Sequence, residues 1–180
     1  MLKRVKCFLI AAIICVSAVS PVAAASISGL SNCKQTMTKW CWAACAQKIG
    51  KYYGFTGAQA DICKYVFGNT NNQTATVYEA ATAIQYTSGK TTTVKSSKLS
   101  TSQVTAEISA KRPFEIRVGW DGSWSNGHFV VCGGYTNGNL KILDPLLSNG
   151  SSADYAYSDL VNGVDMSGGY GVWTHSTTLS

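Results

Sequence analysis

Signals for helices and signals for strands separate along this chain at about Pro113. Before that residue, successive segments begin with helix-capping residues and end at glycines. After it, short segments rich in β-branched and aromatic residues indicate strands. Helices followed by neighbouring strands, rather than an alternation of the two, predict an α+β domain with an antiparallel sheet.

Four helices are predicted in the N-terminal half. The first covers residues 41–53, and Gly54 is placed to end it. Each of the next three follows a Ser or Thr that has Glu or Gln three positions later, which is the capping-box pattern. These pairs are Thr56 with Gln59, Thr76 with Glu79, and Ser100 with Gln103. Gly68 and Gly89 follow the second and third helices.

The C-terminal half predicts strands at residues 113–120, 128–135 and 140–144, and a final strand at 170–175. Asn137 and Gly138 lie between the second and third strands, and this dipeptide is a strong hairpin signal. We expect the helical half and the sheet to meet at a cleft, where a two-part catalytic site can form.

The first 25 residues have the pattern of a secretory signal peptide. A cationic start precedes a short apolar run, and small residues allow cleavage after Ala24 or Ala25. An uncleaved membrane anchor is the alternative, but Pro21 and the neighbouring alanines fit a cleavage site better. We therefore expect a signal peptide at 1–25, one domain at 26–180, and a secreted, extracellular protein that is free of the membrane after cleavage.

The charge of the chain gives no support for a nucleic-acid partner. The full chain has 15 Lys and Arg residues against 9 Asp and Glu. Three of the basic residues belong to the signal peptide, so 12 remain against the same 9 acids and the net charge is +3. The remaining basic residues are scattered, whereas a nucleic-acid site collects them on one face or stripe.

Five cysteines remain after the signal peptide, and an odd number in an oxidising compartment indicates pairing plus one free thiol. We predict that Cys45 pairs with Cys63, because two consecutive helices should pack side by side. Cys33 and Cys132 would then be free or paired with each other. The fifth, Cys41, is left as a candidate nucleophile.

Cys41 opens the first predicted helix. A thiol there lies near unpaired backbone N–H groups and the positive end of the helix dipole, both of which favour the thiolate. The alternative is a small buried residue or half of a disulfide. Cys45 lies one turn later on the same face, but inside the helix its backbone N–H is already used.

Two more residues complete a candidate site. His128 begins a strand directly after a polar, glycine-rich turn, and Asp144 ends the next strand. A carboxylate in that position can accept one ring N–H and orient the imidazole. Each residue alone can be explained as a structural residue. Their order along the chain, Cys then His then Asp, strengthens the assignment of all three to one site. His175, near the C-terminus, is predicted to be structural, and Trp120 and Trp124 are predicted to pack around the turn.

The motif Q-x5-C-W-A at Gln35–Ala43 resembles the active-site segment of papain-like cysteine peptidases. G-H-F-V-V-C-G-G-Y followed by L-K-I-L-D-P is similar to the small bacterial branch of that superfamily, which includes peptidases related to bacteriocin-leader processing and plant-pathogen effector proteases. The resemblance implies a minimal papain-like fold, with a nucleophile helix packed on an antiparallel sheet. It departs from the longer members in two ways: T-K-W-C-W replaces C-G-[SA]-C-[WY], and His128 follows Cys41 by only 87 residues.

The resemblance also implies roles for the site residues. Cys41 would attack a carbonyl, His128 would transfer the proton, and Asp144 would orient the imidazole. The side-chain amide of Gln35 and the backbone N–H of Cys41 would form the oxyanion hole. No cofactor or metal is implied, and a zinc site from Cys33, Cys41, Cys45 and His128 matches no compact zinc spacing.

The expected function is a secreted cysteine endopeptidase that acts as a monomer on peptide or protein substrates. A cell-wall amidase or a transpeptidase with the same three residues is an alternative, since these activities differ in the pocket and not in the nucleophile. A secreted binding module with an inert Cys41 is the alternative from a different class.

The hairpin register tests the role of Asp144. A plain two-residue loop at Asn137 and Gly138 would place Asp144 opposite Val131, and His128 would then point to the other face of the sheet. We therefore predict an irregularity between Gly133 and Asn139 that places Asp144 opposite His128, within hydrogen-bond reach. Glycines are suited to such a bulge.

Overall fold

A computed structural model describes residues 25–121 and 125–180. The predicted signal peptide lies outside these residues except for Ala25, and so does Trp124. The helices are α1 (Cys41–Tyr52), α2 (Gln59–Phe67), α3 (Val77–Ser88), α4 (Thr101–Ser109) and α5 (Tyr157–Asn162). The strands are β1 (Ala25–Ser26), β2 (Thr92–Lys95), β3 (Phe114–Trp120), β4 (Gly127–Thr136), β5 (Asn139–Leu143), β6 (Ala153–Ala156), β7 (Val164–Met166) and β8 (Gly169–Leu179).

Two of the three predicted capping boxes are confirmed. The Thr76 and Ser100 hydroxyls accept from the backbone N–H of Glu79 and Gln103, whose side chains accept from the cap residues in return. The capping box predicted at Thr56 is wrong, since α2 begins after Ala58, whose N–H donates to Asp61 Oδ2 at 2.8 Å.

The Gln59 side chain does not cap α2, because it forms hydrogen bonds outside its own helix. Its Oε1 accepts from the backbone N–H of Thr36, and its Nε2 donates to the carbonyl of Lys34, both at 2.9 Å. Gln59 therefore braces the loop that leads to Cys41.

The sheet lies between two layers of helices. Within the described residues its strand order is β2-β8-β3-β4-β5-β6, with β1 paired to β4, β7 paired to β8, and all neighbours antiparallel. One core joins α1, α2 and α3 to the sheet through Phe129, Val131 and Leu143. The other joins α4 and α5 to the opposite face through Val118 and Val130. The chain therefore has the expected α+β fold, with helices on both faces of the sheet.

The β4–β5 hairpin carries the predicted irregularity. Its turn is the two-residue loop Asn137-Gly138, both with positive φ, and Thr136 pairs with Asn139. The register then shifts at Gly133, so that Val131 pairs with Leu143. One step further, Asp144 comes opposite Val130 and shares a face with His128. The predicted bulge is confirmed, but the direct opposition of Asp144 and His128 is wrong by two residues.

The predicted Cys45–Cys63 disulfide is absent from the structure, in which all five described cysteines are free thiols. The two thiols lie in one core but have different neighbours. Cys63 Sγ is 3.6 Å from the Asn71 carbonyl, and Cys45 Sγ is 3.9 Å from Lys48 Nζ. Packing of consecutive helices does not by itself direct two thiols at each other.

The helices in the described part of the chain include none that is both long and apolar enough to span a membrane.

The bulge generates a first prediction. Gly133 is the extra residue of β4, so its deletion should remove the bulge and leave the pairing on either side unchanged. Asp144 should then stay on the face of His128 and keep its hydrogen bond. The matched control is Gly133→Ala, because the added Cβ meets only the flexible ends of Leu30 and Leu143 and the residue count is unchanged. Circular dichroism and the pKa of His128 measured by NMR check both variants, and both should keep the raised pKa. A deletion variant whose His128 pKa falls to the ordinary value would contradict the register argument.

Candidate active site

Cys41 is held at the first turn of α1 by the two tryptophans beside it. Trp40 and Trp42 are buried, and their indole N–H groups donate to the backbone carbonyls of Asn71 at 3.0 Å and Gln73 at 3.1 Å. The next residues of α1 are small and fully buried against the sheet. The Cys41 side chain remains partly exposed at the start of the helix, where the backbone N–H groups have no partner within the helix.

His128 and Asp144 form a buried pair beside this thiol. His128 is 4% exposed and Asp144 is completely buried. His128 Nε2 lies 2.7 Å from Asp144 Oδ1, and the same oxygen accepts from the backbone N–H of Leu146 at 2.8 Å. Since Nε2 is occupied by Asp144, Nδ1 is the ring nitrogen available to the Cys41 thiol, with which His128 also makes a side-chain hydrogen bond.

These contacts shift the pKa values of the pair in opposite directions. Burial raises the pKa of the Cys41 thiol, but the hydrogen bond and charge of His128, with the N–H groups of Phe129 and Trp42, outweigh it and leave a net lowering. Burial lowers the pKa of His128, but its bonds to Asp144 and Cys41 and their charges raise it to about 9. The arrangement therefore favours a thiolate–imidazolium pair at neutral pH.

Asp144 is kept ionised within the protein. Burial raises its pKa, but the hydrogen bond and charge of His128, the Leu146 N–H and the charge of Lys48 lower it further than burial raises it. An ionised Asp144 stabilises the imidazolium form of His128 and fixes the orientation of the ring. The ring of Trp120 stacks on the imidazole, with centroids 5.8 Å apart and planes 14° from parallel.

The pKa values of three other cysteines are raised, whereas that of Cys41 is lowered. Burial raises the pKa of Cys45 well above the usual thiol value, and that of Cys132 to about 12. The pKa of Cys63 is raised for the same reason. Cys45 therefore stays a neutral thiol although it lies one turn from Cys41.

Gln35 precedes α1 in a loop, and its side chain is engaged within that loop. Nε2 donates to the carbonyls of Met37 and Thr38, each at 2.9 Å. Both amide hydrogens are used by these bonds, so a substrate oxygen would have to replace or share one of them. Its role in an oxyanion hole stays a prediction.

A cleft of about 470 Å³ opens beside Cys41. One wall is formed by residues 74–79 at the start of α3, and the other by β3, β4 and β8, with Arg117, Phe129 and His175 among the lining residues. Pockets of this size are typical of ligand and substrate sites. Within the described residues, no group of three or more His, Cys, Asp or Glu side chains is arranged to hold a metal ion.

His175 and Arg117 are lining residues that the sequence did not indicate. They pair directly across β8 and β3, and Thr174 Oγ1 lies 3.0 Å from both Arg117 Nη1 and His175 Nδ1. Burial and the charge of Arg117 lower the pKa of His175, so its ring is neutral at pH 7. The strand pattern at 170–175 placed His175 on a strand, but only the pairing with β3 brings it to the cleft.

A thiol at the start of a helix, beside a His–Asp pair carried by an antiparallel sheet, is the arrangement that defines the papain-like class of cysteine peptidases. The chain belongs to the Peptidase C39-like family, whose model matches residues 27–178. No curated protein matches the chain in sequence.

Two solved structures share the fold. A protein from Bacillus anthracis described as a C39-like peptidase superposes with a TM-score of 0.65 at 11% identity, covering 87% of this chain and 98% of its own. The peptidase domain of Streptococcus ComA, described as a bifunctional ABC transporter involved in a quorum-sensing pathway, gives a TM-score of 0.62 at 18% identity, covering 84% and 98%. At these identities the likeness shows the fold alone.

The geometry predicts how Asp144→Asn changes the protein. An amide keeps the shape but removes the charge that stabilises the imidazolium, so the pKa of His128 should fall from about 9 toward its ordinary value. Because the raised pKa favours protonated His128, the imidazolium should be lost at lower pH in the variant. NMR titration of the imidazole measures this directly, with His175 as an internal control in the same spectrum. An unchanged His128 titration would show that Asp144 does not set its charge.

Proposed function

We propose that this protein is a cysteine endopeptidase in which Cys41 is the nucleophile, His128 the general acid and base, and Asp144 the residue that orients His128. The observation that carries the proposal is the meeting of a low-pKa thiol, a raised-pKa imidazole and a buried carboxylate, with the thiol of Cys41 lining the cleft. Perturbed groups of complementary charge in a cleft are characteristic of catalytic sites.

The proposed reaction is acyl transfer through a thioester. The Cys41 thiolate attacks the carbonyl carbon of the scissile amide, and the C–N bond then breaks while His128 gives its proton to the leaving amine. Neutral His128 next removes a proton from water, and the resulting hydroxide attacks the thioester. The carboxylic acid leaves, and the thiolate–imidazolium pair is restored.

In the proposed mechanism, the developing negative charge on the carbonyl oxygen is stabilised by the Cys41 backbone N–H and the Gln35 side-chain amide. The backbone N–H belongs to the first turn of α1, where the helix provides no acceptor. Gln35 would turn one amide hydrogen from Met37 or Thr38 to the substrate.

We also propose that the protein acts outside the cell. The support is the sequence pattern of residues 1–25, with its cationic start, apolar run and small residues at the cleavage site. Secretion followed by N-terminal sequencing of the exported protein tests this, and an intact N-terminus at Met1 would contradict it.

The nucleophile is tested by comparing two cysteine variants. Cys41→Ala should abolish hydrolysis of a casein-type substrate and leave the circular dichroism spectrum unchanged, because the side chain is partly exposed. Cys45→Ala should retain activity, because that thiol is buried and neutral. Full activity of the Cys41 variant would refute the assignment. If a peptide library is not cleaved but amines exchange into the thioester, the protein is a transpeptidase instead.

The oxyanion hole is tested at Gln35. Gln35→Ala should lower kcat by on the order of 10²–10³-fold, the usual effect of losing one oxyanion donor. The rate of alkylation of Cys41 by iodoacetamide should change little, since this reaction forms no oxyanion. Equal losses in both rates would indicate that Gln35 only supports the loop before Cys41.

A further inference from the structure

Lys48 is a fully buried lysine on the helix that carries Cys41. Lysines are almost never completely buried unless their charge is compensated. Cys41, Cys45 and Lys48 are spaced by four and three residues, which places them along one face of α1. Lys48 therefore lies on the same face of α1 as the proposed nucleophile.

The Lys48 ammonium contacts the backbone that presents Asp144. Nζ donates to the carbonyl oxygen of Leu143 at 3.0 Å and lies 3.9 Å from Cys45 Sγ. Leu143 is the last residue of β5, and Asp144 follows it directly. A bond at this carbonyl fixes the peptide unit between the end of the strand and the carboxylate-bearing residue.

The other side of the same segment is held by Asn32. Its Nδ2 donates to the carbonyl of Asp144 at 2.8 Å and to that of Ser148 at 3.0 Å. The turn after β5 is thus clamped by an amide on one side and an ammonium on the other. Only the ammonium adds charge.

The charge of Lys48 adds to that of His128 at Asp144. Its Oδ1 is bonded to His128 and Leu146, but Oδ2 is buried and has no hydrogen-bond partner among the described residues. A buried carboxylate oxygen without donors is costly unless a cation lies close by. Lys48 is near enough for its charge to lower the pKa of Asp144.

The titratable groups around this pair come from several elements. Those that interact with Lys48 are Cys33 before α1, Cys41 and Cys45 on α1, Glu115 on β3, and Asp144. Those that interact with Asp144 are His128 on β4, Tyr155 on β6, Cys45 and Lys48. Burial raises the pKa of Glu115 well above its usual value, which makes this carboxyl a weaker anionic partner for Lys48 than Asp144, whose pKa is lowered.

We propose that Lys48 is a positioning residue for Asp144: its ammonium holds the end of β5 through the Leu143 carbonyl and brings positive charge to the buried carboxylate that binds the imidazole. The inference rests on the proposed function of the Cys41–His128–Asp144 site. Lys48 interacts more strongly with Asp144 than with Cys41, so its main effect on Cys41 passes through Asp144 and His128 and alters the pH range over which the thiolate–imidazolium pair exists.

The test is the pH dependence of Cys41 alkylation by iodoacetamide, which needs no substrate. Lys48→Met should shift the acid limb of the alkylation rate, the pH range in which the Cys41 thiolate forms, upward by up to about one pH unit. An adjacent opposite charge moves the pKa of a carboxylate itself by about 1–3 units, and part of that change reaches Cys41 through His128. Lys48→Gln, which keeps a donor but no charge, should give the same shift. Lys51→Met is the matched control, since it removes an exposed lysine from the same helix and should leave the limb in place.

A second comparison shows whether the effect passes through Asp144. In an Asp144→Asn background, Lys48→Met should add no further shift, because two residues that act through one interaction are not additive. An acid limb in Lys48→Met that matches the Lys51 control, or a full additional shift in the Asp144→Asn background, would overturn the proposal. Normal alkylation profiles with no peptide cleavage would instead refute only the peptidase function.

If Lys48→Met fails to fold, NMR of the wild-type protein carrying ¹³C-labelled lysine decides the question. The Lys48 ammonium should stay protonated across the pH range in which Cys41 is alkylated rapidly, and should titrate below the exposed lysines because burial lowers its pKa. A neutral Lys48 in that range would overturn the proposal, since it would bring no charge to Asp144.

Discussion

The buried hydrogen bond between His128 and Asp144 is the interaction on which the rest of this site depends. It is formed between residues 16 positions apart, and it exists because a bulge at Gly133 shifts the pairing of β4 and β5 by one residue. The same bond raises the pKa of the imidazole, and the imidazolium in turn lowers the pKa of the Cys41 thiol. A change in the pairing of these strands that turned Asp144 away from His128 would therefore alter Cys41 through two charges.

Helix α1 connects the chemistry to the core. Its first residue is Cys41, its middle is made of small residues that allow close packing on the sheet, and its buried face carries Lys48. The unpaired N–H groups of its first turn favour an anion at one end. Nearly two turns later, Lys48 bonds to the carbonyl of Leu143, the residue before Asp144. In our proposal, one helix thus supplies both the nucleophile and a positive charge for the His128–Asp144 pair.

Local patterns predicted the helices well because caps and terminating glycines act within a few residues. Thr76 and Ser100 were identified from one side chain three positions later, and the structure contains both boxes. The failure at Thr56 has a tertiary cause, since Gln59 bonds to the loop at Lys34 and Thr36 instead. The short strands β1, β2, β6 and β7 were not predicted, because each has only two to four residues and is held by pairing with a distant strand.

The sequence by itself determined the α+β class, the start of α1 at Cys41 and the sharing of one sheet face by Asp144 and His128. These follow from helix caps, turn residues and the two-residue period of strands. Tertiary structure decided which thiols meet, what lines the cleft and how each charge is compensated. Cys45 and Cys63 share a core without bonding, and His175 reaches the cleft only by pairing with Arg117. The burial of Lys48 beside Asp144 is likewise invisible in the sequence, since desolvation and through-space charge depend on neighbours that are far away along the chain.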